Sequence, residues 1–278
     1  MNEGAAVLRF RELHTSGCFV LPNPWDTGSA VMLQHLGFQA IASTSAGFAF
    51  SKGLPDVATV VPRDLMLDHL SELVAATALP INADFQNGYA ADPEGVAENV
   101  TRCIATGVAG LSIEDATGLS DRPLYEDELA VERIRAARAA IDASGVPVVL
   151  TARCEAALVG HADAQRVVLD RLVAFAAAGA DCVYAPDLRT LDQIAEVVRV
   201  VAPVPVNVLG GENGPARTVA ELADLGVRRV SLGSALSRAA WGGFLRAART
   251  LADEGSFAGL SGAAPFSELD ATFAARQR

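Results

Sequence analysis

Short apolar runs alternate with longer segments of helical period along almost the whole chain. Apolar runs of about four to six residues are typical of buried parallel strands, and a spacing of about 3.6 is typical of helices packed on one face. The runs predict eight strands, within CFVLPNPWD, FQAIAST, PINAD, VAGLSIED, PVVLTARCE, ADCVYAP, PVNVLG and VRRVSLG. The other segments predict helices at residues 27–36, 62–77, 93–106, 127–143, 162–178, 190–201, 217–225 and 235–254.

Glycines and prolines mark the ends of these predicted elements. A helix commonly ends in a left-handed residue, and a proline costs least at the first position of a strand, where its missing N–H is not needed. Glycines that precede predicted strands are Gly37, Gly107, Gly179 and Gly226, and prolines that open the others are Pro80, Pro147 and Pro205.

Eight such units predict an α/β fold, a (β/α)8 TIM barrel with a C-terminal helical extension, because right-handed crossovers close parallel strands into a barrel. An open doubly wound sheet is the competitor, but no GxGxxG motif follows the first strand. No linker divides residues 1–278, so we expect one barrel domain. The tail, about residues 256–278, carries apolar side chains such as Phe257 and Phe266 that either cap the barrel bottom or, as we expect, cover a neighbouring subunit.

Charge and composition narrow the classes of partner and compartment. The net charge of -11 opposes nucleic-acid binding, and no basic run offsets it. The sequence has no apolar window long enough for a membrane span, and its first residues lack the features of a secretion signal. The 4 cysteines form no CxxC pair or Cys/His cluster, which favours a reducing cytoplasm over a zinc or disulfide framework. Lys52 is the only lysine, which disfavours Schiff-base chemistry.

Polar side chains follow the predicted strands at the same end. They are Asn23, Asp26, Ser43, Thr44, Ser45, Asp84, Glu114, Asp115, Arg153, Glu155, Asp187, Asn207 and Ser234. Active sites of barrels lie at the C-terminal ends of the strands, where such groups meet. Because unpaired polar groups are costly to bury, we expect Glu114 and Arg153 to face a shared pocket and to satisfy each other or a ligand.

Asp84 and Glu114 end neighbouring strands and could hold one hard cation. Two carboxylates with several waters suit Mg²⁺, or Mn²⁺ in its place. Arg153 would add positive charge next to an enolate or carboxylate oxygen. The alternative is that Arg153 pairs with Glu114 or Glu155 and that no metal binds.

The motifs SIED, TARCEA, NADFQNGY and ASTSAGFAFSKGLPD resemble the isocitrate lyase / phosphoenolpyruvate mutase superfamily, over about residues 15 to 255. The sequence looks closest to the shorter bacterial members, of the phosphoenolpyruvate mutase-like or carboxyvinyl-carboxyphosphonate phosphorylmutase-like kind. The resemblance implies an enzyme that makes or breaks C–C or P–C bonds next to a carboxylate. It also implies a magnesium-bound, pyruvate-like enolate.

The resemblance assigns substrate-binding and catalytic roles to individual residues. Thr44, Ser45 and Ala46 match the segment that grips the substrate carboxylate. Asp56 matches an acid that holds magnesium-bound water or acts near the reacting group. Asn207 lies at a strand-7 position that often touches substrate.

The metal and oxyanion site follows in the same way, with one departure. Asp84 and Glu114 match acids of the metal site, and Arg153 matches the arginine that binds the oxyanion. The family motif reads Asp-x-Asp, whereas this chain has Asn82 at the first position. A neutral amide can orient a water in the second shell, but the loss of one charge predicts weaker metal binding.

The loop after strand 4, DATGLSDRPLYEDEL, is the second departure. The lyases carry a catalytic cysteine in this loop, and the mutases carry a lysine and an asparagine; none of these residue types is present here. True isocitrate lyase and phosphoenolpyruvate mutase activities are therefore not expected. Arg122 is the candidate for closing over an anion, and a plain solvated loop is the alternative. Cys154 is a poor substitute, because a regular strand turns it away from Arg153.

The leading hypothesis is a Mg²⁺-dependent lyase or decarboxylase that acts on a small 2-oxo or 2-hydroxy carboxylic acid through an enolate. A phosphate- or phosphonate-handling barrel is an alternative, because glycine-rich turns follow strands 7 and 8 and Ser234 lies near a helix start. A non-catalytic binder of 2-oxo acids is the other. We expect a cytoplasmic homo-oligomer, a dimer or tetramer, without nucleic-acid or membrane partners.

Overall fold

The computed structural model describes residues 3–57, 60–211, 214–216 and 218–275, and within them eight parallel strands form one nearly closed sheet. Each strand pairs with its neighbours in the order β1-β8-β7-β6-β5-β4-β3-β2. The strands are β1 Phe19–Leu21, β2 Ile41–Ala42, β3 Ile81–Asp84, β4 Gly110–Glu114, β5 Val149–Arg153, β6 Cys182–Tyr184, β7 Val206–Leu209 and β8 Arg229–Ser231. This order, with a helix between successive strands, confirms the predicted (β/α)8 barrel.

The eight predicted helices are present, and their ends differ from the predicted ones by at most two residues. Residue 217, the predicted start of one of them, lies outside the described residues. Two helices, α1 and α3, were not predicted. The helices are α1 Glu3–Leu13, α2 Thr27–His35, α3 Ser45–Ser51, α4 Arg63–Ala76, α5 Pro93–Ile104, α6 Asp127–Ser144, α7 Ala164–Ala177, α8 Leu191–Val201, α9 Val219–Asp224, α10 Ala235–Glu254 and α11 Phe266–Ala275, with a 3-10 turn at Phe257–Leu260.

The barrel closes between β1 and β2 through a seam rather than a regular ladder. The Ala42 amide donates to the Pro22 carbonyl at 3.0 Å. The Asn23 amide group donates to the Ser43 carbonyl at 2.8 Å and accepts from the Leu232 amide at 2.9 Å. Asn23 is therefore a structural bridge between the segments that follow β1, β2 and β8, and it satisfies backbone groups that would otherwise lack partners.

Helix α1 seals the bottom of the barrel, at the N-terminal ends of the strands. Phe10 is fully buried there, and its ring contacts the His14 ring edge-to-face at 4.7 Å. The His14 ring in turn contacts Phe19, the first residue of β1, at 5.1 Å. The glycine at the start of β4 leaves room for this plug, because a Cβ on Gly110 would lie 2.6 Å from the Phe10 ring.

The C-terminal extension packs on the side of the barrel and leaves much apolar surface exposed. The 3-10 turn packs on α10, and α11 packs beside α2. The Phe257 and Phe266 side chains are 74% and 83% exposed, so the tail does not cap the bottom. Helix α10 has one buried residue, Ser237, along its whole length. None of the described helices is both long and apolar enough to cross a bilayer.

Candidate active site

Three neighbouring strand ends bring Asp84, Glu114 and Arg153 together. Glu114 lies opposite Arg153 in the ladder between β4 and β5. The Arg153 Nη1 atom lies 3.6 Å from Oδ1 of Asp84 and 3.4 Å from Oε2 of Glu114. Parallel strands end at one rim of the barrel, so a single guanidinium contacts both acids.

Arg153 has two further partners, both largely buried. Its Nε donates a hydrogen bond to Oε1 of Glu155. Its guanidinium carbon lies 5.2 Å from the centroid of the Tyr184 ring, within the range of a cation–π contact. Pairing of Arg153 with Glu155, the alternative raised by the sequence, is thus present together with the approach to Asp84 and Glu114. Three carboxyl groups therefore surround one cation.

The segment after β2 is a short helix rather than a loop, and it is fastened to Asp84. Thr44 is the N-cap of α3, and its hydroxyl accepts from the Gly47 amide at 3.1 Å. The Ser45 amide donates to Oδ2 of Asp84 at 2.8 Å, and the Asp84 amide donates to the Ser43 hydroxyl at 2.8 Å. Ala46 follows in the first turn. The predicted carboxylate-binding segment therefore lies directly beside the predicted metal ligand.

Asp56 reaches the same rim from the loop that follows α3. The residue as a whole is exposed, but its carboxyl hydrogen-bonds to the Ser45 side chain. Partial burial of the carboxyl and the negative charge of Asp84 raise the pKa of Asp56, and Arg153 opposes this rise. Asp56 therefore holds a proton more readily than a free aspartate does.

Burial and crowding perturb the pKa values of the central groups. Burial raises the pKa of Glu114 to about 8; Arg153 opposes the rise, and Glu155 and Asp84 add to it. Burial lowers the pKa of Arg153, but Glu155 and Glu114 outweigh burial and hold it well above its usual range. Arg153 is thus always protonated, whereas Glu114 takes up a proton more readily than a free glutamate does.

A cavity of about 50 Å³ lies inside the barrel next to this cluster. Its polar lining includes Asn82, Asp84, Arg153, Tyr184, Asn207 and Arg229. A space of about 10–15 Å³ is enough to hold one water, so the cavity admits a few waters or the charged end of a small ligand. A larger apolar groove of about 460 Å³ between Phe50, Trp241 and Leu245 lacks the polar strand-end groups.

Sequence reasoning missed Tyr184 and Arg229 in this lining. Tyr184 ends β6, and its phenol pKa is raised to about 12, chiefly by burial. Arg229 begins β8 and points into the barrel, where it is 2% exposed. A charged residue inside the apolar run VRRVS could have indicated a buried functional arginine. Arg228 and Arg229 both lie in that run, so the sequence does not show which of them faces the barrel interior.

Asn207 lines the cavity, and both the NH2 group and the oxygen of its side-chain amide form hydrogen bonds. It donates to the Ser231 hydroxyl at 2.9 Å and accepts from Nε of Arg229 at 2.9 Å. Substrate contact by Asn207 would therefore be shared with these partners.

Several other strand-end candidates lie away from the cavity. Asp26 caps α2 through the Ser29 amide at 2.7 Å. Asp115 pairs with Arg171 at 2.8 Å, behind the rim. Arg122 lies exposed in the loop after β4, which folds back through a bridge between residues 116 and 124. Cys154 is fully buried, does not line the cavity, and has a pKa raised by burial.

The donor set at the cluster fits a magnesium-like cation only in part. Among the described residues, no group of three His, Cys, Asp or Glu side chains is arranged to hold a metal. Two carboxylates that share one guanidinium suit a cation that keeps most of its waters, which is the habit of Mg²⁺. Asn82 lines the cavity, and its buried Oδ1 atom has no hydrogen-bond partner in the protein. A bound water would satisfy it.

A (β/α)8 barrel with a cluster of acids and an arginine at its C-terminal rim has the architecture of an enzyme. The family model for phosphoenolpyruvate phosphomutase matches residues 10–252. The chain therefore belongs to that family, within the isocitrate lyase / phosphoenolpyruvate mutase superfamily, and is an enzyme of the lyase and mutase type.

Similar proteins agree with this placement. A candidate lyase/mutase from Burkholderia cenocepacia J2315 is 48% identical, with 98% of this chain and 96% of that chain covered and a TM-score of 0.93. The 2-methylisocitrate lyase of Shewanella oneidensis is 31% identical, with 90% of this chain and 87% of that protein covered. Oxaloacetate acetylhydrolase, solved with its product oxalate, is 27% identical, with coverage of 97% and 94% and a TM-score of 0.86.

Proposed function

We propose that the protein is a Mg²⁺-assisted lyase or decarboxylase that acts on a small 2-oxo or 2-hydroxy carboxylic acid through an enolate. The convergence of Asp84, Glu114 and Arg153 beside one cavity carries this proposal. A fixed guanidinium next to acids that can hold a cation suits a reaction in which negative charge develops on oxygen. The relatives named 2-methylisocitrate lyase and oxaloacetate acetylhydrolase favour C–C over P–C cleavage.

Asp84 and Glu114 would hold the cation, and Asn82 would orient one of its waters. When bound, Mg²⁺ or Mn²⁺ would supply positive charge to the enolate oxygen. The three carboxyl groups around Arg153, the raised pKa of Glu114 and the unpartnered Asn82 oxygen support a cation here. Because Asn82 brings no charge, we expect weaker binding than two aspartates would give.

The chain's own groups would bind and orient the substrate. Arg153 would bind the oxyanion, and Thr44, Ser45 and Ala46 would receive the carboxylate at the first turn of α3. Asp56 would carry a proton at the rim, since its pKa is raised.

The size of the site favours a short substrate. A carboxylate-sized group fits the cavity of about 50 Å³. Asn207 would face this group from β7. Arg122 would reach a bound anion only if the exposed loop after β4 folded inward. A loop without the lyase cysteine or the mutase lysine and asparagine argues against isocitrate and phosphoenolpyruvate as substrates.

A screen of 2-oxo and 2-hydroxy mono-, di- and tricarboxylates, read by NMR with and without Mg²⁺, tests the proposal. We expect a new product from a small 2-oxo or 2-hydroxy acid only when Mg²⁺ is present. Arg153→Ala should lower kcat by about a hundredfold to a thousandfold, because it removes the charge beside the developing oxyanion. Its circular dichroism spectrum should be unchanged. Arg166→Ala is the matched control, because Arg166 is an exposed arginine on α7.

Full activity of Arg153→Ala, or turnover that needs no divalent cation, would contradict these assignments. A non-catalytic binder of 2-oxo acids is the second candidate, favoured by a loop after β4 that brings no side chain to the cavity lining. That candidate predicts thermal stabilisation by pyruvate or oxaloacetate without any product. For the phosphate-handling alternative, inorganic phosphate should compete with the acid.

A further inference from the structure

Arg229 is a buried cation without a carboxylate partner. Its Nε donates to Oδ1 of Asn207 at 2.9 Å, its Nη2 donates to the Thr151 hydroxyl at 3.0 Å, and its Nη1 lies 3.3 Å from Nε2 of His14. All three partners are neutral. Among the described residues, no Asp or Glu forms an ion pair with it.

Such a charge is unfavourable for the fold. A buried ion is stable only when a partner of opposite charge or a full set of hydrogen bonds replaces its water. Arg229 has the hydrogen bonds but not the countercharge, and burial lowers its pKa. Replacement of a buried ion together with its partners by apolar residues of similar size is often neutral or stabilising in other proteins. Packing alone therefore does not explain an arginine at this position.

The location of Arg229 relates this charge to the candidate active site. Arg229 lines the same cavity as Asp84 and Arg153, and these are the charged residues of its described lining. Arg153 is paired with Asp84, Glu114 and Glu155, whereas Arg229 has no such partner, so the uncompensated positive charge of the cavity lining lies at Arg229. An anionic group that passes the rim is attracted into the cavity, where Asn82 and Asn207 supply polar contacts.

We infer that Arg229 is a positioning residue that draws the negatively charged end of a short carboxylate into the barrel interior and fixes the Asn207 amide that faces it. This inference rests on the proposed function. It adds that the charge of Arg229 on β8, which lies outside the acid–arginine cluster, sets the preference for small dianions. The Arg229 side chain therefore lowers the stability of the fold and raises the affinity for an anion.

The two effects predict opposite outcomes for one substitution. Oxalate serves as the probe, because it is a planar dianion of two carboxylates. We expect Arg229→Met to unfold at the same or a higher temperature than the wild type, because removal of the unpaired charge offsets the hydrogen bonds that Asn207, Thr151 and His14 lose. In calorimetry with saturating Mg²⁺, we expect its oxalate affinity to fall by about tenfold or more, since a buried charge acts through a low dielectric. Arg229→Gln, which can still donate to Asn207 but is neutral, should also bind oxalate weakly. Arg166→Met removes an exposed arginine and should change neither property.

The oxalate affinities and unfolding temperatures of these variants test the role of Arg229. Wild-type affinity in Arg229→Met, or recovery of affinity in Arg229→Gln, would overturn the role of the charge. An Arg229→Met protein that unfolds at a lower temperature or does not fold would show that the arginine is structural, and would overturn the inference as well. In these cases the wild type still binds oxalate, and the proposed function stands. If the wild type neither binds oxalate nor converts any 2-oxo acid, both the function and the inference fail.

Discussion

Acid should destabilise this protein through His14, because the fold keeps that imidazole neutral. The His14 Nδ1–H donates to the Phe10 carbonyl at 2.7 Å, which leaves the Nε2 lone pair facing Nη1 of Arg229 at 3.3 Å. A proton on Nε2 would set two N–H donors and two positive charges against each other inside the barrel. Burial, and then Arg229, lower the pKa of His14 from 6.5 to about 3.

The magnitude follows from proton linkage. Below pH 6.5 the unfolded chain binds a proton at His14 that the folded chain does not bind, so stability falls as pH falls toward the folded-state pKa. Each pH unit in this window costs about 1.4 kcal/mol, so the loss at pH 5 is about 2 kcal/mol. His69, stacked on Phe48 at 3.9 Å, has a pKa lowered to about 4, chiefly by burial, and adds a similar loss.

Urea unfolding at pH 7.5 and pH 5.0, followed by circular dichroism, measures this loss. We expect His14→Gln to lose about 2 kcal/mol less than the wild type between the two pH values, because it cannot titrate. His35→Gln alters an exposed histidine and is the matched control. Equal losses in His14→Gln and in the wild type would refute the assignment of a neutral His14 next to Arg229.

Three further predictions concern packing, assembly and thiol access. Gly110→Ala should lower the free energy of unfolding by about 1–3 kcal/mol in urea melts, because the new methyl meets Phe10 at 2.6 Å and has nowhere to move. Gly4→Ala, in open space on α1, should not destabilise. Sedimentation should find an assembly larger than a monomer, and Phe244→Asp, on the exposed face of α10, should shift it toward monomer. Ellman's reagent should modify Cys18 alone in the native protein and all 4 cysteines after denaturation, because the others are buried.

Local signals were enough to predict most of the barrel. The glycines expected to end helices, Gly37, Gly107, Gly179 and Gly226, all have positive φ, from 84 to 100°. Helix α3 was missed because its sequence, SAGFAFS, is short and rich in serine and glycine, and a tertiary contact from Asp84 holds its first amide. Helix α1 was missed because its apolar periodicity is weak, and its buried face is defined by the barrel floor that it covers.

The candidate site was predictable where strand order alone decides which residues meet. Asp84, Glu114 and Arg153 meet because they end three adjacent parallel strands. Arg229 was not predictable, since adjacent residues of a strand point to opposite faces. Its neighbour Arg228 turns outward to the Gly17 carbonyl, and only the register of β8 distinguishes the two.

The helical plug beneath the strands has a consequence for how the chain tolerates trimming at its start. His14 contacts the guanidinium of Arg229, and Phe10 packs against His14. A shortened chain that began at Thr15 would keep all eight strands and the acid–arginine cluster. Water would reach the Arg229 guanidinium from the bottom of the barrel. Hydration would remove the desolvation cost of the Arg229 charge. It would also weaken the attraction of that charge for an anionic substrate, because water raises the local dielectric constant. Such a chain would bind an anion more weakly because of a change at the opposite end of the barrel from the acid–arginine cluster.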